Sequence, residues 1–173
     1  MPSPPAQAET DVARLVRNAQ SGDGDAFTLL YQRFARMVHG VVLARIARTE
    51  VDHVVQDVFI AAYQRLGQLR EPTAFGGWLA AIARNRAADH GRRLVPVHPV
   101  AEAATRPQAH DRVEALAVLE AIRSLPEAYS ETLVLRLVEG MTGAEIAERT
   151  GLTPGSVRVN LHRGMKLLRE KLA

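Results

Sequence analysis

The chain has 173 residues and not one cysteine, which excludes disulfides and thiolate zinc sites. Aromatic residues make up only 5% of it. Ala, Leu, Val and Arg dominate instead, a composition that favours helices over sheets. No run of about 18 apolar residues occurs, so no segment is expected to span a membrane. The N-terminus, MPSPPAQAET, lacks a basic-then-apolar signal pattern, and a cytoplasmic protein is expected. The six histidines, at 39, 53, 90, 98, 110 and 162, form no i, i+3 or i+4 pair, so no metal site is expected. A Gly-rich phosphate loop and a nucleophile elbow are also missing. The chain is therefore read as a non-enzyme without a cofactor.

What is present is charge in two places. The net charge is only +3. Yet Arg84, Arg86, Arg92 and Arg93 face a single acid, Asp89, within ten residues. From Pro154 onward Arg158, Arg163, Lys166, Arg169 and Lys171 face only Glu170. Two such clusters on a nearly neutral chain suggest two contacts with a polyanion. Basic residues decorating solvated helix C-termini are the plainer explanation for either cluster alone.

Periodicity predicts an all-α protein of two small helical domains on a flexible, Pro-containing tether. Residues 1–9 are Pro-rich and read as a disordered tail. The first domain spans 10–93. Asp11 is expected to cap a short helix, and Asp25 to cap a second running from Ala26 to about Ala47. A third runs from about Glu50 to Leu66, and a fourth from about Trp78 to Arg93. LVPVHPVAEAATRPQAHD, residues 94–111, reads as the linker. The second domain spans 112–173.

In the third helix, Val51, Val54, Val55, Val58, Phe59, Ala62 and Leu66 make a core stripe. The other face carries His53, Gln56, Asp57 and Gln64 around Ile60. A lone exposed Ile is ordinary, but an apolar anchor ringed by polar groups also fits protein docking. In the fourth helix Leu79, Ile82 and Ala83 face inward. Arg84, Asn85, Ala88 and Arg92 lie on a different face, suited to phosphate and base-edge contacts. Trp78 is assigned to the core rather than to base stacking.

The C-terminal segment reads TGAEIAERTGLTPGSVRVNLHRG. Thr142 and Glu145 form a capping box, and Gly151 supplies the positive-φ stop. Thr153 then caps a helix with Pro154 at its first position. Short helix, Gly turn and longer helix make a helix-turn-helix pattern. Val157, Leu161, Gly164, Leu168 and Leu172 share the inner stripe. Ser156, Val159, His162, Arg163 and Lys166 point outward, with Arg158 and Asn160 flanking. A recognition helix presents its N-terminal residues to base edges, while Lys166 and Arg169 suit phosphates.

Taken in order, these motifs resemble those of the extracytoplasmic-function (ECF) sigma factors of bacterial RNA polymerase. SGDGDAFTLLYQRF is similar to the start of region 2, and VVQDVF to its D-L-V-Q-E-T-F motif. FGGWLAAIARNRAADHGRR resembles F-x-x-W-L-x-x-I-A-R-N-x-x-x-D-x-x-R-R, and LPEAYSETLVLRLVEGMTGAEIAERTGLTPGSVRVNLHRG resembles region 4. The resemblance implies docking on core polymerase, with its β′ and β subunits, through Asp52, His53, Gln56, Asp57 and Ile60. It implies −10 recognition and melting by Arg70, Thr73, Arg84, Asn85, Ala88, Arg92 and Arg93. It implies −35 recognition by Thr153, Ser156, Arg158, Val159, Asn160, His162, Arg163 and Lys166. An anti-sigma partner and a monomeric free state are expected, and the linker would run toward the RNA exit channel. The sequence departs from the family pattern at His53, usually Asp; at Val159 and Asn160, usually Ser-Arg; and at Gly143, usually bulky. A DNA-binding repressor or activator without polymerase docking, and a helical adaptor, are the competing readings.

Overall fold

A computed structural model describes residues 5–93 and 109–173. Among the described residues eight α-helices carry the fold and no strand occurs. The first domain comprises α1 (Pro5–Gln20), α2 (Gly24–Leu43), α3 (Val51–Arg65) and α4 (Phe75–Arg93). The second comprises α5 (Ala109–Arg123), α6 (Glu127–Leu133), α7 (Gly143–Thr150) and α8 (Pro154–Leu172). Most of the expected tether, residues 94–108, lies outside the described residues, as do residues 1–4 of the expected tail.

Several helix ends differ from the sequence expectation for local reasons. α1 begins at Pro5, so Asp11 lies inside it and pairs with Arg14 at 3.0 Å instead of capping. Pro at a first helical position sacrifices no hydrogen bond. Asp23, not Asp25, caps α2, because its carboxylate accepts from the backbone N–H groups of Asp25 and Ala26. Asp25 instead supplies the first-turn negative charge favoured by the helix dipole. The stretch between α3 and α4 is built from two short 3-10 turns, Leu66–Gln68 and Pro72–Ala74, rather than open loop. Beyond α6 the backbone widens into a π-helical turn over Val134–Val138. Leu172, expected inside, is 52% exposed as the last residue of α8, where the helix runs out into solvent.

The core of the first domain follows the predicted stripes. Val51, Val54, Val58 and Ala62 of α3 meet Leu30, Phe34 and Val38 of α2 and Leu79 and Ala83 of α4, all buried. Phe75 packs edge-on against Phe34 with centroids 5.1 Å apart, and against Trp78 at 5.8 Å. Burying a ring of this size contributes about 1.5–3 kcal/mol. In the second domain the capping box is present as expected. Thr142 accepts from the Glu145 N–H, and the Glu145 carboxylate accepts from the Thr142 N–H. Gly151 takes φ 75°, the left-handed conformation that ends α7.

The two domains pack directly on each other, which the sequence did not suggest. Their buried residues form one continuous cluster. Two glycine contacts set the approach. A Cβ on Gly76 of α4 would lie 2.5 Å from the Arg149 carbonyl oxygen of α7. A Cβ on Gly40 of α2 would lie 2.6 Å from Leu135 Cδ2. At Gly76 the neighbour is fixed backbone, so only hydrogen fits there, while at Gly40 a side chain would have to shift.

Candidate functional site

Three surfaces carry the candidate residues. The first lies between α2 and α3. Because α3 buries Val51, Val54 and Val58, its other face turns outward and forms a hollow of about 690 Å³ with α2. Asp52, Gln56 and Ile60 line it, and Ile60 is 50% exposed. His53 and Asp57 sit beside the hollow rather than in it, one helical turn apart with a 3.7 Å contact between them. Sequence reasoning missed the aromatic wall. Phe27 and Tyr63 meet edge-on at 4.9 Å, and Tyr31 tilts against Phe59 at 4.5 Å. The available signal was an i, i+4 aromatic pair on each helix, Phe27 with Tyr31 and Phe59 with Tyr63. Tyr63 is 57% exposed and Tyr31 45%, an unusual apolar presentation on one patch.

The second surface is the outer side of α4 and the turn before it. Asn85, Ala88, Arg92 and Arg93 are exposed, and Arg92 pairs with Asp89. Arg70 and Thr73 are also exposed. The Thr73 hydroxyl donates to Glu71 at 2.9 Å, and Glu71 caps the turn. Arg84 departs from this group. Its guanidinium turns into the domain interface, where Nε and Nη2 donate to the two Glu131 carboxylate oxygens at 2.9 and 2.7 Å.

The third surface is the helix-turn-helix of α7 and α8. Thr153 caps α8 by accepting from the Ser156 N–H at 3.1 Å, and its hydroxyl meets the Ser156 hydroxyl at 2.8 Å. Arg158, Val159, His162, Arg163 and Lys166 are exposed along one side. Lys166 reaches Glu170 only at 4.0 Å, so its ammonium remains available. Asn160 is half-buried and lines an interdomain cleft with Arg45, Arg84 and Glu131. The structure thus leaves most of each predicted set on an open face, but brings one member of each DNA-facing set, Arg84 and Asn160, into one cleft.

A charged seam joins the domains, partly at that cleft, and none of it was foreseen. On α2, Arg33 meets Glu148 at 2.8 Å and His39 Nδ1 meets Glu139 at 2.5 Å. Arg45, just past α2, meets Glu127 at 2.5 Å and Glu131 at 2.7 Å. The Glu131 side chain is only 6% exposed. Burial alone would raise its carboxyl pKa. The hydrogen bonds and charge of Arg84, joined by Arg45, outweigh burial and hold it below the ordinary value. For His39 the Glu139 hydrogen bond raises the pKa against a smaller opposing effect of burial. The signal was present as the acids at 127, 131, 139, 145 and 148, which sequence periodicity could not pair with α2.

Residues 30–95 match the family model described as Sigma-70 region 2. Residues 115–168 match that described as Sigma-70, region 4. Two helical domains with these matches define a sigma subunit of RNA polymerase, the subunit class that directs transcription initiation. Similar curated proteins narrow the class. The ECF RNA polymerase sigma-E factor of Haemophilus influenzae is 31% identical over 185 residues, covering 96% of this chain and 97% of the relative. RNA polymerase sigma factor CarQ of Myxococcus xanthus is 33% identical over 162 residues, covering 88% and 92%. Among solved structures, CnrH in complex with the cytosolic domain of CnrY is 29% identical, with TM-score 0.65 over 94% of this chain and 97% of that one. The chain belongs to the ECF sigma factors of RNA polymerase.

Proposed function

We propose that this sigma factor docks core RNA polymerase through the α2–α3 hollow, presents α4 to the −10 element and presents α8 to the −35 element. The observation that carries this reading is the separation of the surfaces. An apolar hollow anchored by Ile60 lies on one domain, and a capped recognition helix with exposed Arg163 and Lys166 lies on the other. A polymerase coiled coil of the β′ subunit suits the hollow, since aromatic anchors inside a polar ring are the usual composition of a protein-binding patch. Asn85 and Arg92 suit base-edge and phosphate contacts at the −10 element. At the −35 element Val159 offers a methyl contact to thymine, where a polar residue would seek a hydrogen bond.

The chain adds specificity to the polymerase and carries no chemistry of its own. In this role it works in the cytoplasm; no helix among the described residues is long and apolar enough to cross a membrane. A protein antagonist of the anti-sigma kind completes the reading, supported by the similarity to CnrH, whose structure contains the cytosolic domain of CnrY.

In vitro transcription with purified core polymerase tests the assignment. Gln56→Ala with Asp57→Ala is expected to abolish promoter output while leaving duplex DNA binding intact. Arg163→Ala with Lys166→Ala is expected to keep core binding and lose output from −35-dependent promoters. A DNA-only regulator predicts no effect of the first pair, and a helical adaptor predicts none of the second.

A further inference from the structure

The last residue of α1 reaches across to the turn that leads into α4. Gln20 is exposed, yet its side-chain amide nitrogen donates to two backbone carbonyls, Leu66 at 2.9 Å and Leu69 at 2.8 Å. Both N–H groups of the amide are thus committed to main-chain oxygens. The seating of α1 does not depend on them, because Val12, Val16 and Ala19 already bury its inner face.

Their effect falls on the turn. Leu66 is buried at the end of α3, while Leu69 has left helical geometry, with φ −74° and ψ 107°. Gly67 and Gln68 between them are exposed. One backbone bond closes this turn, from the Leu69 N–H to the Leu66 carbonyl at 3.1 Å. Gln20 adds a tie from the outgoing Leu69 carbonyl to the body of the domain. A peptide unit is planar, so holding the Leu69 oxygen also sets the position of the Arg70 Cα. The next anchor is Phe75, fully buried at the start of α4. Residues 70–74 alone separate the two anchors, and they include Arg70 and Thr73. Within that span Glu71 holds the Thr73 hydroxyl, so both exposed side chains are directed from a fixed frame.

The chemistry of the tie is specific to glutamine. It presents two N–H donors on one nitrogen to two acceptors. Glutamate has the same shape but offers the carbonyls only further acceptors, and leucine offers them nothing.

We propose that Gln20 is a positioning residue for promoter opening, holding the Leu69–Arg70 peptide so that Arg70 and Thr73 face the −10 strand as it unpairs. This role rests on the −10 assignment of Arg70 and Thr73. It extends the −10 machinery to α1, which precedes the region 2 match at residues 30–95.

The test uses holoenzyme reconstituted from the full chain and purified core polymerase. The template is a duplex promoter recovered from genomic fragments by the wild-type holoenzyme. Opening is read from a fluorescent adenine analogue placed in its −10 element. Gln20→Leu and Gln20→Glu each remove the two donors and keep a good helix former at an exposed position. Both variants are expected to melt and to bind core as wild type does, while amide hydrogen exchange across residues 66–74 accelerates severalfold. Opening should fall about fivefold, the factor carried by one net hydrogen bond. Adding Gln20→Leu to Arg70→Ala/Thr73→Ala should lower opening no further, because Gln20 acts through the turn that carries them. Losses that multiply overturn the proposal. So does opening within about twofold of wild type in both Gln20 variants while Arg70→Ala/Thr73→Ala opens poorly, a result that leaves the −10 assignment standing. Wild-type opening by Arg70→Ala/Thr73→Ala overturns that assignment and the positioning role with it.

Discussion

Ile60 is the most direct handle on polymerase docking. Its side chain is 50% exposed in the hollow, beside Phe59 and Tyr63. Fully burying an Ile side chain is worth about 1.5–3 kcal/mol, so the half still exposed offers a partner about 0.8–1.5 kcal/mol. Ile60→Ala forfeits most of that, about 1 kcal/mol, or about a fivefold weaker Kd for core polymerase. Ile60→Asp should cost more, because docking would bury a carboxylate without a partner. The loss should exceed about tenfold. Neither change should unfold the domain, since exposed positions away from caps and cores shift stability by only about 0.5 kcal/mol. The assay is equilibrium binding of fluorescently labelled variants to purified core polymerase, with thermal melts as the folding control. The reasoning fails if Ile60→Asp melts like wild type and binds core within about twofold of it.

Two further outcomes follow from individual contacts. The His39 pKa is raised by its hydrogen bond to Glu139, so the pair strengthens the domain interface fully below the ordinary value of 6.5. That contribution is lost as pH rises through the raised folded-state value. Melting temperature should therefore fall from mildly acidic to alkaline pH more steeply in wild type than in His39→Gln; equal slopes would show that the pair adds nothing. Thr142→Ala removes half of the capping box and should cost about 1 kcal/mol, lowering the melting temperature by about 2–4 °C, with Thr142→Ser largely restoring it.

Sequence was most informative where the determinants are local. The Thr142–Glu145 box, the Gly151 stop and the Thr153–Pro154 start are each set within four residues, and each forms as expected. The α3 stripe was equally legible, because a 3.6-residue period needs no knowledge of what covers it. The α2 cap was less so: Asp25 was expected, but Asp23, directly after the Gly22 turn with φ 97°, accepts from the first helical N–H groups. The aromatic wall required knowing that α2 and α3 lie side by side. The interdomain seam was out of reach altogether. No local pattern marks Glu131, and only the packing of α6 near α2 and α4 buries it between Arg45 and Arg84.

The two kinds of surface differ in their relation to the domain interface. Every residue lining the α2–α3 hollow belongs to the first domain, and Tyr31, Ile60 and Tyr63 remain exposed while the domains are packed. Arg84 and Asn160 instead line the cleft between the domains, and the Arg84 guanidinium is engaged by Glu131. The proposed docking on core polymerase therefore needs no rearrangement of the hollow. The proposed use of Arg84 at the −10 element, by contrast, requires its paired hydrogen bonds to Glu131 to break, an exchange of one oxyanion for another.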